Sequence, residues 1–144
     1  MNPPDETLRH ALSDARTVAV VGLSDKPERD SNEAGRFLQA RGYRVIPVNP
    51  RLKNVLGERS YPSIAAIPPD VRVDLVDIFR RPEEVPGIMD EAIARDVPVV
   101  WMQLGISHPD AAARGRRAGL VVVEDLCIMT TLRRLGVPPA RGSS

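Results

Sequence analysis

The sequence predicts an α/β fold in three layers: a five-stranded, mostly parallel sheet with helices on both faces. Three observations carry that prediction. Five short runs rich in β-branched residues alternate with longer segments of helical character, the pattern of a parallel sheet with right-handed crossovers. The runs are apolar nearly throughout, as strands buried on both faces are. Aromatic residues make up only 3% of the chain, so the core is expected to consist of Val, Ile, Leu and Ala.

Residues 6–15 read as a first helix, within a segment 1–16 that packs on the domain. The first strand, 17–21, ends at Gly22. Residues 31–41 are helical, with Asp30 and Glu33 able to form a capping box and Ser31 an alternative cap. Ala34, Phe37, Leu38 and Arg41 fall on one face of it, and Gly42 supplies the left-handed stop. The second strand is 43–48. An irregular connection covers 50–73, with one short helix near 63–66. The third strand, 74–79, leads into a helix over 82–95, where Pro82 suits the first turn and Glu83 and Glu84 favour the positive helix end. Ile88, Ala92 and Ile93 mark its inward face. The fourth strand is 97–103, with Trp101 in the core, and His108 starts a helix over 109–118. The fifth strand, 120–123, leads to a last helix over 125–135, with Asp125 as its N-cap. One domain, 17–137, is expected, followed by a frayed tail over 138–144.

Composition narrows the function. Net charge is +1, from 20 basic and 19 acidic residues, so no general attraction to nucleic acid or an anionic membrane is expected. So few aromatics also argue against a base-stacking platform for single strands. One cysteine, Cys127, excludes an intramolecular disulfide framework. The start of the chain lacks signal-peptide features, and no apolar run approaches membrane-spanning length; the expected location is the cytoplasm. His10 and His108 stand outside any metal-ligand spacing. With no nucleophile elbow and no carboxylate pair, the residues point to binding more than to turnover.

In such sheets ligands bind beyond the carboxyl ends of the strands, where strand order reverses. The first strand exits through Gly22, Leu23 and Ser24 into a loop containing Arg29 and Ser31. That loop and the free N–H groups of the following helix read either as a phosphate cradle or as an ordinary strand-to-helix connection with a serine cap. It is not a dinucleotide fingerprint, because Ser24 and Pro27 stand where GxGxxG requires glycine. The second strand ends in Val48, Asn49 and Pro50, without the acidic residue that holds an NAD ribose. Asn49, Arg51 and Lys53 from the second exit should converge with Phe79, Arg80 and Arg81 from the third, as a ligand with several phosphates would require. Gln103 and Gly105 follow the fourth strand, with Gly105 able to permit close backbone approach. Cys127 falls in the first turn of the last helix; a buried, inert thiol is the expectation, although a helix start can activate one.

Taken together, Val18–Ser24, Pro27–Ser31, Gly42–Pro50, Leu56-Gly57, Tyr61–Ser63, Asp77–Glu83, Val100–Gly105 and Ala118–Leu120 resemble the stand-alone CoA-binding domain family. That family is similar to the CoA-binding domain of the succinyl-CoA synthetase alpha subunit. The resemblance implies a Rossmann-like fold with coenzyme A along the strand ends. The 24–31 loop would sit against the phosphates and 49–53 at the nucleotide end, with 79–81 flanking the adenine or pantetheine path. The synthetase's phosphohistidine belongs to a second domain absent from this chain, so synthetase activity is not implied. The chain departs from the family's frequent Asp-Arg-Cys at Asp125-Leu126-Cys127. Two further readings stay open: an enzyme on CoA thioesters, or one forming a CoA mixed disulfide through Cys127, and an NAD(P)-binding module. The small sheet leaves edge strands that a second copy or another protein could use.

Overall fold

The five expected strands form and join in one sheet in the computed structural model, which describes residues 1–140. They are β1 (Thr17–Val21), β2 (Arg44–Val48), β5 (Leu75–Ile78), β6 (Val99–Met102) and β7 (Val121–Val123). The order is β2-β1-β5-β6-β7, and every pairing is parallel, so the sheet is wholly, not mostly, parallel. The helices are α1 (Asp5–Asp14), α2 (Asp30–Ala40), α3 (Val85–Ala94), α4 (Pro109–Arg117) and α5 (Ile128–Leu135). A 3₁₀ turn over Pro82–Glu84 precedes α3.

Strand alternation divides the core in two. Val18, Val20, Leu75, Val99, Trp101 and Val123 face α1, α2 and α5 through Leu8, Leu12, Leu38, Ile128 and Leu132. Ala19, Val21, Val76, Ile78, Val100 and Met102 face α3 and α4 through Val85, Met89, Ala111 and Ala112. Both faces being covered explains the unbroken apolar runs. At the amino ends, the Asp74 carboxylate accepts the N–H groups of Arg16 and Thr17 at 2.9 Å each, tying the start of β1 to β5. At the sheet's other edge, the Asn2 side chain pairs with both backbone groups of Glu124, just past β7.

Four expectations need correction. The connection 50–73 contains a hairpin, β3 (Asn54–Val55) with β4 (Glu58–Arg59). Its two-residue turn, Leu56 (φ 53°) and Gly57 (φ 79°), has the positive φ angles that match strand twist. No helix forms at 63–66; only consecutive turns close there, from the N–H groups of Ala66 and Ile67 to Ser63 and Ile64. The last helix begins at Ile128, not at 125, because Asp125 is left-handed (φ 56°) and its carboxylate accepts the Gly105 N–H at 2.6 Å. Asp125 therefore joins two loops and does not cap. Of the expected tail, Pro138–Ala140 is docked: the Ala140 N–H donates to the Arg41 carbonyl and Arg41 donates to that of Val137. Its residues 141–144 lie outside the described residues. No helix among the described residues is long and apolar enough to cross a membrane.

Candidate functional site

From β1 the chain adds β2 on one side and then β5 on the other, so strand order reverses between β1 and β5. Beyond their carboxyl ends lies a cleft of about 530 Å³, the position at which parallel sheets of this kind bind ligands. Gly22 (φ 89°) makes the parting tight. A Cβ there would stand 2.7 Å from the Phe79 carbonyl oxygen, so no side chain can separate the two strand exits.

The loop from β1 into α2 is cross-tied by its own polar groups. The Ser24 N–H donates to the Ser31 hydroxyl at 3.0 Å, and the Lys26 N–H to the Ser24 hydroxyl at 3.1 Å. The Asn32 side chain donates to the Ser24 carbonyl at 2.8 Å and Asn49 to the Leu23 carbonyl at 3.0 Å. Used as acceptors, both serine hydroxyls keep a proton to give, and neither donates to a protein acceptor among the described residues. The expected capping box does not form. Arg29 occupies the N-cap of α2 and no side chain bonds the first-turn N–H groups, which stay available to an anion at the positive helix end.

Of the expected site residues, Gly22, Ser24, Arg29, Ser31, Asn49, Arg51 and Phe79 line this cleft. Leu23 is buried beneath it, its carbonyl held by Asn49. A second cleft, about 510 Å³, brings Asn49, Pro50 and Arg51 against Phe79, Arg80 and Arg81. A third, about 570 Å³, is lined by Phe79, Arg80, Arg81, Gln103, Gly105 and Cys127. Phe79 belongs to all three, so they meet at this residue. Lys53 lines none of them. Gly105 (φ 85°) has open space at its Cβ position; its backbone turn, not a close approach, demands glycine.

The cleft at β1 is less basic than the arginines suggested. Lys26, Arg29 and Arg51 share it with Asp25, Glu28 and Asp30. Arg80 is committed to Glu84 at 2.6 Å, and the Arg80 and Arg81 guanidinium groups hold the Glu84 carboxyl below its ordinary range. Anion recognition there would rest on directed N–H and O–H donors more than on net charge.

The third cleft holds what the sequence reading missed. Cys127 was expected to be buried and inert; it is half-exposed at the N-cap of α5 and lines the cleft wall. Burial alone would raise its thiol pKa. The Thr130 hydroxyl, the N–H groups of Thr130 and Met129, and the Gln103 side chain outweigh that and set it below the usual thiol value. Trp101 Nε1–H donates to the Leu126 carbonyl at 2.8 Å and the Ile128 N–H to Gln103 at 3.1 Å, fixing the 125–128 turn against the end of β6. Asp77 on β5, the register partner of Trp101, does not line this cleft; it is fully buried with neither carboxylate oxygen hydrogen-bonded. Desolvation, with a smaller contribution from Cys127, pushes its pKa well above the ordinary range. The signal for both was present: an acid inside a strand that must be buried on both faces, and a cysteine just before a helix.

A CoA binding domain model matches residues 16–133. The chain belongs to that CoA-binding family. YneT of Bacillus subtilis (strain 168) is 38% identical over 127 residues, 88% of this chain and 93% of its own length. The crystal structure of Prb, a PH1109 protein redesigned for binding, is 38% identical with a TM-score of 0.89 over 93% of each chain. The dinucleotide-forming acetyl-coenzyme A synthetase 1 of Ca. Korarchaeum cryptofilum shares the fold at 23% identity and TM-score 0.67, over 78% of this chain but only 26% of that one. The same fold thus occurs both in chains of similar length and as one part of a longer chain.

A separate cavity of about 420 Å³ opens at the amino ends of β6 and β7, lined by His10, Ala11, Asp14, Asp74 and Val121 among others. It lies at the sheet's opposite end from the strand-order reversal, where strand carboxyl ends and free helix starts are absent.

Proposed function

We propose that this chain binds coenzyme A, or an acyl-CoA, at the carboxyl ends of its parallel strands, as a binding module with no turnover of its own. The observation that carries the reading is the cleft at the β1–β5 parting of a chain that belongs to the CoA-binding family, with Gly22 holding the strand exits together and the start of α2 left uncapped. The Ser24 and Ser31 hydroxyls, the first-turn N–H groups and Arg29 would take the pyrophosphate. Arg51, with Arg80 and Arg81 beside Phe79, would take the nucleotide and its 3′-phosphate. The third cleft, lined by Phe79, the exposed Leu104, Gln103 and Cys127 among others, would receive the pantetheine arm.

The test is a thermal-shift titration with CoA, dephospho-CoA, acetyl-CoA, NADP and ATP, confirmed by calorimetry. Ligand at one hundred times Kd stabilises by about 2.7 kcal/mol, a rise of about 5–10 °C for a domain of this size. CoA should give that rise and dephospho-CoA a smaller one. A rise with NADP alone, or none with CoA, would overturn the assignment.

A further inference from the structure

We propose that the cleft at the β6 exit holds the acyl group of an acyl-CoA, and that the group it suits is an uncharged aliphatic chain. The inference rests on the CoA reading and extends it to the class of thioester. Leu104 is 70% exposed; among the described residues only Met1, at the start of the chain, is another exposed large hydrophobic residue. A lone apolar side chain on a surface asks for no explanation. Leu104 is not alone: it lines one cavity of about 570 Å³ together with Phe79, Pro82, Ile106 and Met129.

The backbone holds that leucine in the open. The Ile106 N–H donates to the Gln103 carbonyl at 2.8 Å, closing a four-residue turn with Leu104 second and Gly105 (φ 85°) third, the position at which a type II turn takes glycine. The Gly105 N–H donates to the Asp125 carboxylate at 2.6 Å, and the Asp125 N–H to the Ile106 carbonyl at 3.0 Å. Pinned by these three bonds, the turn cannot fold Leu104 into the core. Its apolar surface is left for a ligand in the cavity it lines, the one assigned above to the pantetheine arm.

Polarity decides the class of acyl group. The third cleft shares Asp30 and Phe79 with the first, and Phe79, Arg80 and Arg81 with the second. Apart from Gly105, the lining it shares with neither is Pro82, Gln103, Leu104, Ile106, Cys127 and Met129, with no acid, arginine or lysine among them. The Gln103 carboxamide oxygen already accepts the Ile128 N–H at 3.1 Å. Arg80 and Arg81, the two cations of the cavity, pair with Glu84 at 2.6 and 3.7 Å and are assigned above to the nucleotide. An acyl group ending in a carboxylate would find no cation to itself and would meet Asp30, whereas an aliphatic one would meet apolar side chains. Each methylene moved from water onto such a surface is worth up to about a fourfold gain in affinity.

The experiment is calorimetry on the full chain with CoA and with acetyl-, butyryl-, hexanoyl- and succinyl-CoA. Affinity should rise along the aliphatic series, with hexanoyl-CoA at least about tenfold tighter than acetyl-CoA. Succinyl-CoA, which has the carbon count of butyryl-CoA and a carboxylate, should bind no tighter than acetyl-CoA. Leu104→Ser, at an exposed turn tip, should keep the parent's melting temperature and cut the hexanoyl-to-acetyl affinity ratio at least about threefold. Equal affinities along the series, or succinyl-CoA binding tighter than butyryl-CoA, would overturn the aliphatic site while leaving the CoA reading intact. An unchanged ratio in Leu104→Ser would overturn its placement. A dimer of the CoA-loaded protein that Leu104→Ser splits would also overturn it, giving the leucine to a second copy of the chain. Absence of binding with every one of these ligands would remove both readings.

Discussion

Gly22→Ala adds a methyl group where β1 and β5 part, and its effect can be worked out atom by atom. The residue sits at φ 89°, a region that costs an L-residue about 1–2 kcal/mol. The new Cβ would lie 2.7 Å from the Phe79 carbonyl oxygen and 2.9 Å from the Arg80 Cδ. The arginine stem can swing aside, but the carbonyl is backbone. Phe79 is held by its N–H to the Val21 carbonyl at 2.9 Å, and Gly22 by its N–H to that of Val48 at 2.8 Å. Relief therefore requires opening the sheet at the carboxyl ends of β1 and β5, an overpacking cost of about 1–3 kcal/mol. Together these predict a loss of about 2–5 kcal/mol, against a total of about 5–15 for an ordinary domain. Urea denaturation followed by circular dichroism measures it. Calorimetry on the folded variant at low temperature should show CoA affinity reduced by at least about tenfold, or 1.4 kcal/mol. A stability change under about 0.5 kcal/mol, the range of an ordinary surface substitution, would refute the argument that a close backbone approach shapes this cleft.

Arg51→Ala removes an exposed cation that forms no ion pair among the described residues; CoA should bind roughly tenfold more weakly with the melting temperature unchanged. Ser31→Ala deletes the acceptor of the Ser24 N–H and should cost about 1 kcal/mol in urea as well as weakening CoA, which separates it from Arg51→Ala. His108→Ala removes the side-chain cap of α4 and should cost about 1 kcal/mol with CoA affinity untouched. Because the folded pKa of Asp77 is raised, the stability linked to its proton is fully present below the unfolded value near 3.8 and is lost as pH rises toward and through the folded value. Asp77→Asn cannot ionise, so its stability relative to the parent should improve as pH rises from about 4 to 8; a constant difference across that range would contradict a buried, neutral acid.

How much of this was legible in the sequence varies with physical cause. The strands were readable because β1, β5 and β6 are buried on both faces, and only continuous apolar runs satisfy that. Helix bodies followed from the 3.6-residue repeat, as at Ala34 and Leu38. Helix starts were misread where a capping residue had a stronger partner elsewhere in space. Ser31 is drawn to the Ser24 N–H, and Asp125 to the Gly105 N–H twenty residues earlier in the chain. The hairpin around Leu56 and Gly57 was missed because a leucine at positive φ contradicts local preference. It is held from outside, where the Gln39 side chain donates to the Leu56 carbonyl at 3.0 Å.

The site divides along the same line. Residues at strand exits could be named from the fold class alone, since a doubly wound sheet dictates where ligands meet it, and most of those named do line the three joined clefts. Their chemistry could not be read that way, because it depends on pairing across elements: Glu84 neutralises Arg80, and three carboxylates offset the cations beside α2. Asp77 shows what a sharper reading would have used. Asp74, three residues before it, has a structural task at the start of the strand and is fully partnered. Asp77 falls in the strand's interior, opposite Val20 and Trp101, where a charged residue gains nothing for folding. An acid at that position, wholly enclosed and without a hydrogen-bond partner, keeps its proton at a cost to the stability of the sheet around it.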